Sequence, residues 1–564
     1  MRFAERPSPQ DEPCLFTGSV PSAASVPPTG LPKLSARQQQ ILALLRAGKV
    51  NKEIANELGI GLGTVKQHVV ALFKKLGVHN RTMAVSREIA ARTPETHKVS
   101  SLVAGEGLLE RRPCIVLSVV LPETATASAG RLLHQTLASY AFDHDALFLA
   151  RRGHAGDLIF GIQSPGEHDL FLVLRAGHLV ADILAAHDPS SRDALRGGLS
   201  AGLAIASMNR LGGWSGEAIA TPAIAEARES ALAATPGMLR LGTSAGELLQ
   251  ALSACGTVFS APEIPLAGLD RLPCCIESSC EPPLGRDQEL AFLEARMVAC
   301  PDKGRLILVE AETGMGKSHL CRYLASRGAA ARWSVRHFTS QPDSGGARVY
   351  ELPSGAPVDV DTVLAGWTSR ADGSARLLIV DDCHLLPGDV LARLAAAAGA
   401  ACGGLMLLAG RRFPEALSSQ GERLRLGRLS QETIEALAER ELAARGMPSG
   451  PVAAIARIAT GVPLFARQLA ARKTTSALPL SLRFVIGSRL DNLGLDRLLL
   501  RSVALSDAPV EPAALAAAMG DTVPRAEAAA GLAVASGVIR RDEAGRLSFA
   551  HPLLRQAVIE AQVE

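Results

Sequence analysis

Apolar positions along this 564-residue chain follow two rhythms, and the points where the rhythm changes divide it into units. From Leu34 to Arg92 the spacing is helical: Ile41, Leu42, Leu44 and Leu45 share one face, Ile54, Ala55 and Leu58 a second, and Val65, Val69, Leu72, Phe73 and Leu76 a third. Ser35 and Gln38 have the spacing of a capping box, Asn51 caps the second helix, and Gly59-Ile60-Gly61 turns the chain into the third. Two short helices around a tight Gly turn predict a helix-turn-helix.

The rhythm then changes. Between Pro113 and Leu249 strand-like runs (Cys114–Leu121, a hairpin over Leu147–Ile162, Leu199–Ala206) mix with helical ones. A Pro- and Cys-rich connector follows near Thr257–Pro283, and strands then alternate with helices over about 284–425. Three of those strands, Gly304–Val309, Leu377–Val380 and Leu405–Ala409, are continuous apolar runs, the pattern of a parallel sheet covered on both faces. Beyond 425 the pattern is helical to the end, and no period of 20–50 residues repeats, which excludes a solenoid.

The reading is a multidomain α/β protein: a leader (1–32), a four-helix helix-turn-helix unit (33–97), an α+β domain (111–255), a linker (256–281), a parallel α/β nucleotide domain (282–425), and two mainly helical parts, which family resemblance through the motifs quoted below implies are a helical lid (426–475) and a winged-helix-like end (476–564). Seven prolines among Ser and Thr in 1–32 predict disorder there.

Composition adds limits. The chain is 47% hydrophobic and 20% charged with a net charge of +3, so it is ordinary globular protein and not polybasic as a whole. Charge is local instead: Leu34–Thr82 carries eight basic and two acidic residues, a footprint for phosphate binding. Ten cysteines without a repeating spacing form no disulfide framework, and those around the connector (Cys255, Cys274, Cys275, Cys280) match no zinc pattern. The first 30 residues hold no apolar signal core, and the uncharged run between Arg393 and Arg411 is broken at Gly399, Gly403 and Gly404. The expectation is a cytoplasmic protein with no membrane partner.

The chemistry concentrates at Ala311-Glu312-Thr313-Gly314-Met315-Gly316-Lys317-Ser318, between an apolar strand and a helix. Amides of Gly314, Met315 and Gly316 would meet phosphate oxygens at the positive end of that helix. Lys317 would reach the β/γ oxygens and Ser318 would bind Mg2+. Leu377–Asp382 is an apolar strand ending in two carboxylates, Asp381 for Mg2+ through water and Asp382 for the attacking water. Arg411, after the third strand, would sense the γ-phosphate. The catalytic candidates are therefore Lys317, Asp382 and Arg411.

Three resemblances follow from these motifs. The segment from Leu34 to Val85, with Asn51-Lys-Glu-Ile-Ala55, Thr64-Val-Lys66, His68 and Lys75-Leu-Gly-Val-His-Asn-Arg-Thr82, resembles the LuxR-type (NarL/FixJ-like) DNA-binding domain. That resemblance puts Lys66, Gln67 and Val70 at base edges in the major groove of promoter DNA, and Thr64, Lys74 and Arg81 on phosphates. It also implies a dimer contact through the last helix.

"RRGHAGDLIFGI", "GGLSAGLAI", "GWSGEAIATPAIAEAR" and "ATPGMLRLG" resemble the ferredoxin-like class III nucleotide cyclase domain. Such a cyclase needs two metal-holding carboxylates. Asp157 fits one, Val119 and Val120 stand where the other is expected, Ala220 stands at the family's Asn, and its Arg falls near Ile224 or Arg228. The expectation is an inactive domain kept for sensing or dimerisation, and the alternative is a signalling enzyme that makes cyclic nucleotide.

Residues 282–564 resemble a STAND-class, AAA-like ATPase through "PLGRDQEL", "LRLGRLSQETIEAL", "ATGVPLFARQLA" and "LSFAHPLLRQAVIE". The resemblance adds Arg286, Pro463 and His551 to the nucleotide set, whose other members are Ala311, Glu312, Thr313, Gly314, Met315, Gly316, Lys317, Ser318 and His319. It implies ATP with Mg2+, an ADP-bound closed form and self-association on activation. The family's usual C-terminal helical-repeat sensor is not expected within this chain.

Overall fold

The computed structural model describes residues 36–46, 58, 68–69 and 72 and, with short interruptions, 108–252, 262–269, 281–298 and 304–563. In the N-terminal segment α1 spans Ala36–Arg46. Ile41 and Leu42 on it are buried, as are Val69 and Leu72, and Arg37 Nη2 donates to the Leu58 carbonyl at 2.8 Å.

The first complete unit runs β1 (Leu108–Val120), α2 (Ala127–Asp143), β2 (Leu147–Arg151), β3 (Ala155–Phe160), α3 (Asp169–His187) and β4 (Arg196–Met208), then α4 (Ala223–Ala233), β5 (Met238–Leu241), α5 (Thr243–Leu252) and β6 (Glu263–Pro265). Its sheet order is β2-β3-β1-β4-β5-β6. The first four strands pair antiparallel in the β-α-β-β-α-β, split-βαβ order. β1 is buried on both sides because alternate residues enter different cores: Ile115, Leu117 and Val119 pack under α2 and α3, whereas Cys114 and Val116 pack with Ala223 and Ala227 of α4. β6 falls inside 256–281, so part of the expected linker is the edge strand of this sheet.

α3 is the one described helix long and apolar enough to cross a membrane; half of it is buried inside the protein, with Val173, Val180 and Leu184 in the sheet's core.

The second unit comprises α6 (Asp287–Val298), β7 (Arg305–Glu310), α7 (Lys317–Ala330), β8 (Ser334–Asp343), β9 (Gly346–Leu352), β10 (Ala356–Val358), α8 (Val360–Thr368), β11 (Arg376–Asp381), α9 (Gly388–Ala398), β12 (Gly404–Gly410), α10 (Glu415–Ser418) and β13 (Glu422–Arg425). Five strands are parallel in the order β8-β11-β12-β7-β13, and β9 and β10 add an antiparallel edge. The continuous apolar runs have a direct cause. Ile307, Val309, Ile379 and Leu407 enter one core while Leu306, Leu308, Val380 and Leu408 enter the core on the opposite face. The run between Arg393 and Arg411 becomes the end of α9 and the buried strand β12.

The C-terminal part is α11 (Gln431–Ala444), α12 (Val452–Ala459), α13 (Pro463–Ala470), α14 (Leu480–Asn492), α15 (Arg497–Leu505), α16 (Pro512–Met519), α17 (Val523–Ala535), the hairpin β14 (Ile539–Arg541) and β15 (Leu547–Phe549), and α18 (Pro552–Glu560). α14 is shared between units: Phe484 is buried in the core of the first sheet, while Leu482 and Ile486 belong to the core that the second unit shares with the C-terminal helices.

Buried charge reinforces that junction. Arg112 and Arg497 each pair with both Glu110 and Asp491, and Arg210 holds Asp496 and Asp521, each at 2.7 Å. The Arg111 amide donates to the Ala561 carbonyl at 2.6 Å.

Candidate functional site

The loop after β7 is shaped by two glycines in the left-handed region, Gly314 at φ +81° and Gly316 at φ +93°. A Cβ on Gly314 would lie 2.8 Å from the Leu464 Cβ, whereas one on Gly316 would meet nothing within 4 Å. The loop is thus closed on the α13 side and open at the first turn of α7, where backbone amides are without helical partners. Lys317 is buried, and its Nζ donates to the carbonyls of Ala311 (2.8 Å) and Glu312 (3.0 Å), which parks an ammonium within the loop.

Opposite it, Asp381 ends β11, is buried, and accepts the Asp382 amide at 2.8 Å. Asp382 itself adopts φ +52°, a conformation that costs a non-glycine residue about 1–3 kcal/mol and turns the chain sharply at the strand end. Arg411 follows β12 at the same, C-terminal edge of the parallel strands, the edge where open α/β sheets bind ligands.

The imidazoles around this edge are neutral at neutral pH. Burial and then the Arg411, His168 and Lys317 charges push His384, 4.0 Å from Asp382, down to about 3. Burial pushes His337 down to about 4 against the pull of Asp381. Burial also raises the Cys321 and Cys383 thiols well above their usual range, so both are protonated and inert.

Arg286 fixes the entry side. Its Nη2 donates to the carbonyls of Met315 (3.1 Å) and Gly427 (2.7 Å) and its Nη1 to Glu289 (2.9 Å), which ties the loop to the start of the lid. A cavity of about 630 Å3 opens between loop and lid. Of the expected nucleotide residues, Arg286, Met315, Gly316, His319 and Pro463 line it.

His551 does not. It is buried, its Nδ1 accepts the Leu553 amide at 3.0 Å, and its Nε2 pairs with the Thr460 hydroxyl. It meets the segment beside the loop through Thr460 and an edge-on contact with the Phe465 ring, because helix-capping holds it at the start of α18.

Two contacts escaped the sequence reading, since nothing local marks them: Arg489 of α14 pairs with Glu312 at 3.2 Å, and the Leu464 amide donates to the Gly314 carbonyl at 3.1 Å.

In the first sheet, Asp157 is fully buried and its register partner on β1 is Ser118. Two guanidiniums occupy its oxygens: Arg228 Nη2 at 2.7 Å and Nε at 3.0 Å, and Arg151 Nη1 at 3.4 Å, with Arg151 also donating to Ser118 at 3.1 Å. Of the two alternatives for the expected Arg, Arg228 is the residue at Asp157. Among the described residues no group of three or more His, Cys, Asp or Glu could hold a metal ion.

The expected DNA contacts Thr64, Lys66, Gln67, Val70, Lys74 and Arg81 lie outside the described residues. Comparison supplies what geometry does not: residues 32–87 match the family model for bacterial regulatory proteins, luxR family. This segment is a LuxR-family helix-turn-helix. The same region is 53% identical over 53 residues to the CsgBAC operon transcriptional regulatory protein of Escherichia coli (strain K12), covering 9% of this chain and 24% of the relative. This chain matches about a quarter of the length of its first curated relatives.

Elsewhere the likeness is to solved structures. RuvB of Thermotoga maritima matches at 19% identity and a TM-score of 0.29, covering 48% of this chain and 95% of its own. The guanylyl cyclase Cya2 matches at 14% identity and a TM-score of 0.21, covering 25% and 80%.

Proposed function

We propose that the protein is an ATP-dependent transcriptional regulator, in which nucleotide bound at the β7–α7 loop controls self-association and promoter binding by the LuxR-family segment. The observation that carries this reading is the gathering of Lys317, Asp381, Asp382 and Arg411 at one edge of a parallel sheet, beside a cavity walled by a helical lid. The strand order supports it too: β7 lies inside the parallel sheet between β12 and β13, so the loop after it opens at the C-terminal edge where such sheets bind ligands.

The residues fit Mg-ATP. The open Gly316 turn suits phosphate oxygens, Lys317 is positioned to leave the loop carbonyls for them, and Asp381 and Ser318 are the hard oxygen donors that Mg2+ prefers. Mg2+ held there would supply charge neutralisation on the phosphates. The lid, α13 and α14 all touch the loop, so nucleotide state has a packed route to the rest of the chain.

The first sheet acts in this scheme as a non-catalytic module. Asp157 is held by Arg151 and Arg228, and the β1 position opposite it is Ser118, so no second carboxylate stands across that pairing to share a metal with it. The alternative, a cyclic-nucleotide-forming enzyme, finds no support in that geometry. Nucleotide retained by the purified protein, and its loss in Lys317→Ala, tests the central reading; a protein that binds no adenine nucleotide contradicts it.

A further inference from the structure

We propose that the cleft between β1 and the helices α14, α15 and α18 binds a small organic anion, a carboxylate carried on a short apolar body. The cleft encloses about 80 Å3. A single water needs roughly 10–15 Å3 on such a measure, so there is room for several non-hydrogen atoms.

The walls define the ligand class. Leu490, Leu500 and Val558 supply an apolar side, and five guanidiniums, Arg111, Arg112, Arg483, Arg497 and Arg501, line the remainder with only Glu110 and Asp491 among acids. Counting Glu560, which engages Arg483, leaves cations in excess. Repulsion from Arg111 adds to burial in holding the Arg483 pKa below its usual value.

The decisive asymmetry is in hydrogen bonding. The Nη atoms of Arg112 and Arg497 are consumed by Glu110 and Asp491, but the Nε of each is buried without an acceptor, and so is the Gln562 Nε2. All three residues line this one cleft, and every unpartnered buried side-chain atom of its lining is a donor. Buried polar groups in native proteins find partners. A carboxylate supplies acceptors and charge together, and its alkyl body meets the leucines. Because the walls come from both β1 and the C-terminal helices, a bound anion would tie the first sheet to the C-terminal unit.

The site stands independently of the nucleotide reading and is tested by direct binding. Full-length protein is titrated calorimetrically with acetate, butyrate and hexanoate at constant ionic strength, with hexanol and inorganic phosphate as comparators. The expected result is one saturable site, tightest for hexanoate and at least about tenfold weaker for hexanol and for phosphate. Arg111→Gln and Arg501→Gln, which break no carboxylate pair, should each weaken hexanoate about tenfold while circular dichroism matches the parent. Absence of saturable carboxylate binding, hexanol or phosphate binding as tightly as hexanoate, or unchanged affinity in both correctly folded variants overturns the proposal.

Discussion

The Leu464 amide donates to the Gly314 carbonyl at 3.1 Å, so the loop after β7 and the first turn of α13 form one hydrogen-bonded unit. Pro463 opens that helix and Thr460, three residues earlier, holds His551 at the start of α18. Under the proposed function, a shift of the loop on nucleotide exchange would pull on the C-terminal unit through a continuous set of contacts rather than across solvent.

Lys317→Ala should weaken ATP about 10- to 100-fold, the worth of one or two charge-assisted hydrogen bonds, with the unfolding transition retained. Equilibrium binding of a fluorescent ATP analogue measures it. Undiminished affinity would remove Lys317 from the site.

Asp169 predicts a pH dependence of stability. Burial, with a smaller push from Asp145, raises its carboxyl from 3.8 to about 7, against the Gly166 amide and Arg112, which pull it down. The folded protein keeps a proton there that the unfolded chain releases, so stability contributed by this group falls as pH rises from about 4 to about 7. Asp169→Asn should flatten that slope and be more stable than the parent at pH values above 7, read by urea midpoints across the pH range.

Phe484→Ala should cost about 3–5 kcal/mol, because the ring is 2% exposed and fills the core of the first sheet from a helix that belongs to the other unit. Calorimetry should show the first sheet melting separately from the nucleotide unit. A single transition, unshifted, would mean that α14 does not join the two.

The first sheet should make no cyclic nucleotide from ATP with Mn2+, since Asp157 is held by Arg151 and Arg228. Arg228→Ala should instead destabilise the unit by about 1–3 kcal/mol, the cost of an under-paired buried carboxylate moderated by the partly exposed Arg228. Cyclic AMP formation that disappears in Asp157→Ala would contradict the non-catalytic role.

The parts of the fold legible from sequence were those with a strong local pattern. β7, β11 and β12 announce themselves because both faces are buried, and the Gly314–Lys317 loop because its glycines are needed at positive φ. Harder elements are set by partners far away in the chain. β8 begins Ser334-Val335-Arg336-His337, too polar to read as a central strand, yet it pairs with β11 along six residues. The position opposite Asp157 depends on the β1–β3 register, and a shift of one residue exchanges Ser118 for Val119 and moves the side chain to the other face. Arg286 was expected at the site by resemblance, but its bonds to Met315 and Gly427, the latter 141 residues away, had no local signal. His551 was placed at the nucleotide by resemblance, and it sits one segment removed.

The most direct test of the account is operator affinity and molecular mass of the full-length protein measured in parallel with ATP, with ADP and as Lys317→Ala. The account predicts a larger assembly and tighter operator binding with ATP, and neither with ADP or in the variant. Equal affinity and equal mass in all three states would contradict it.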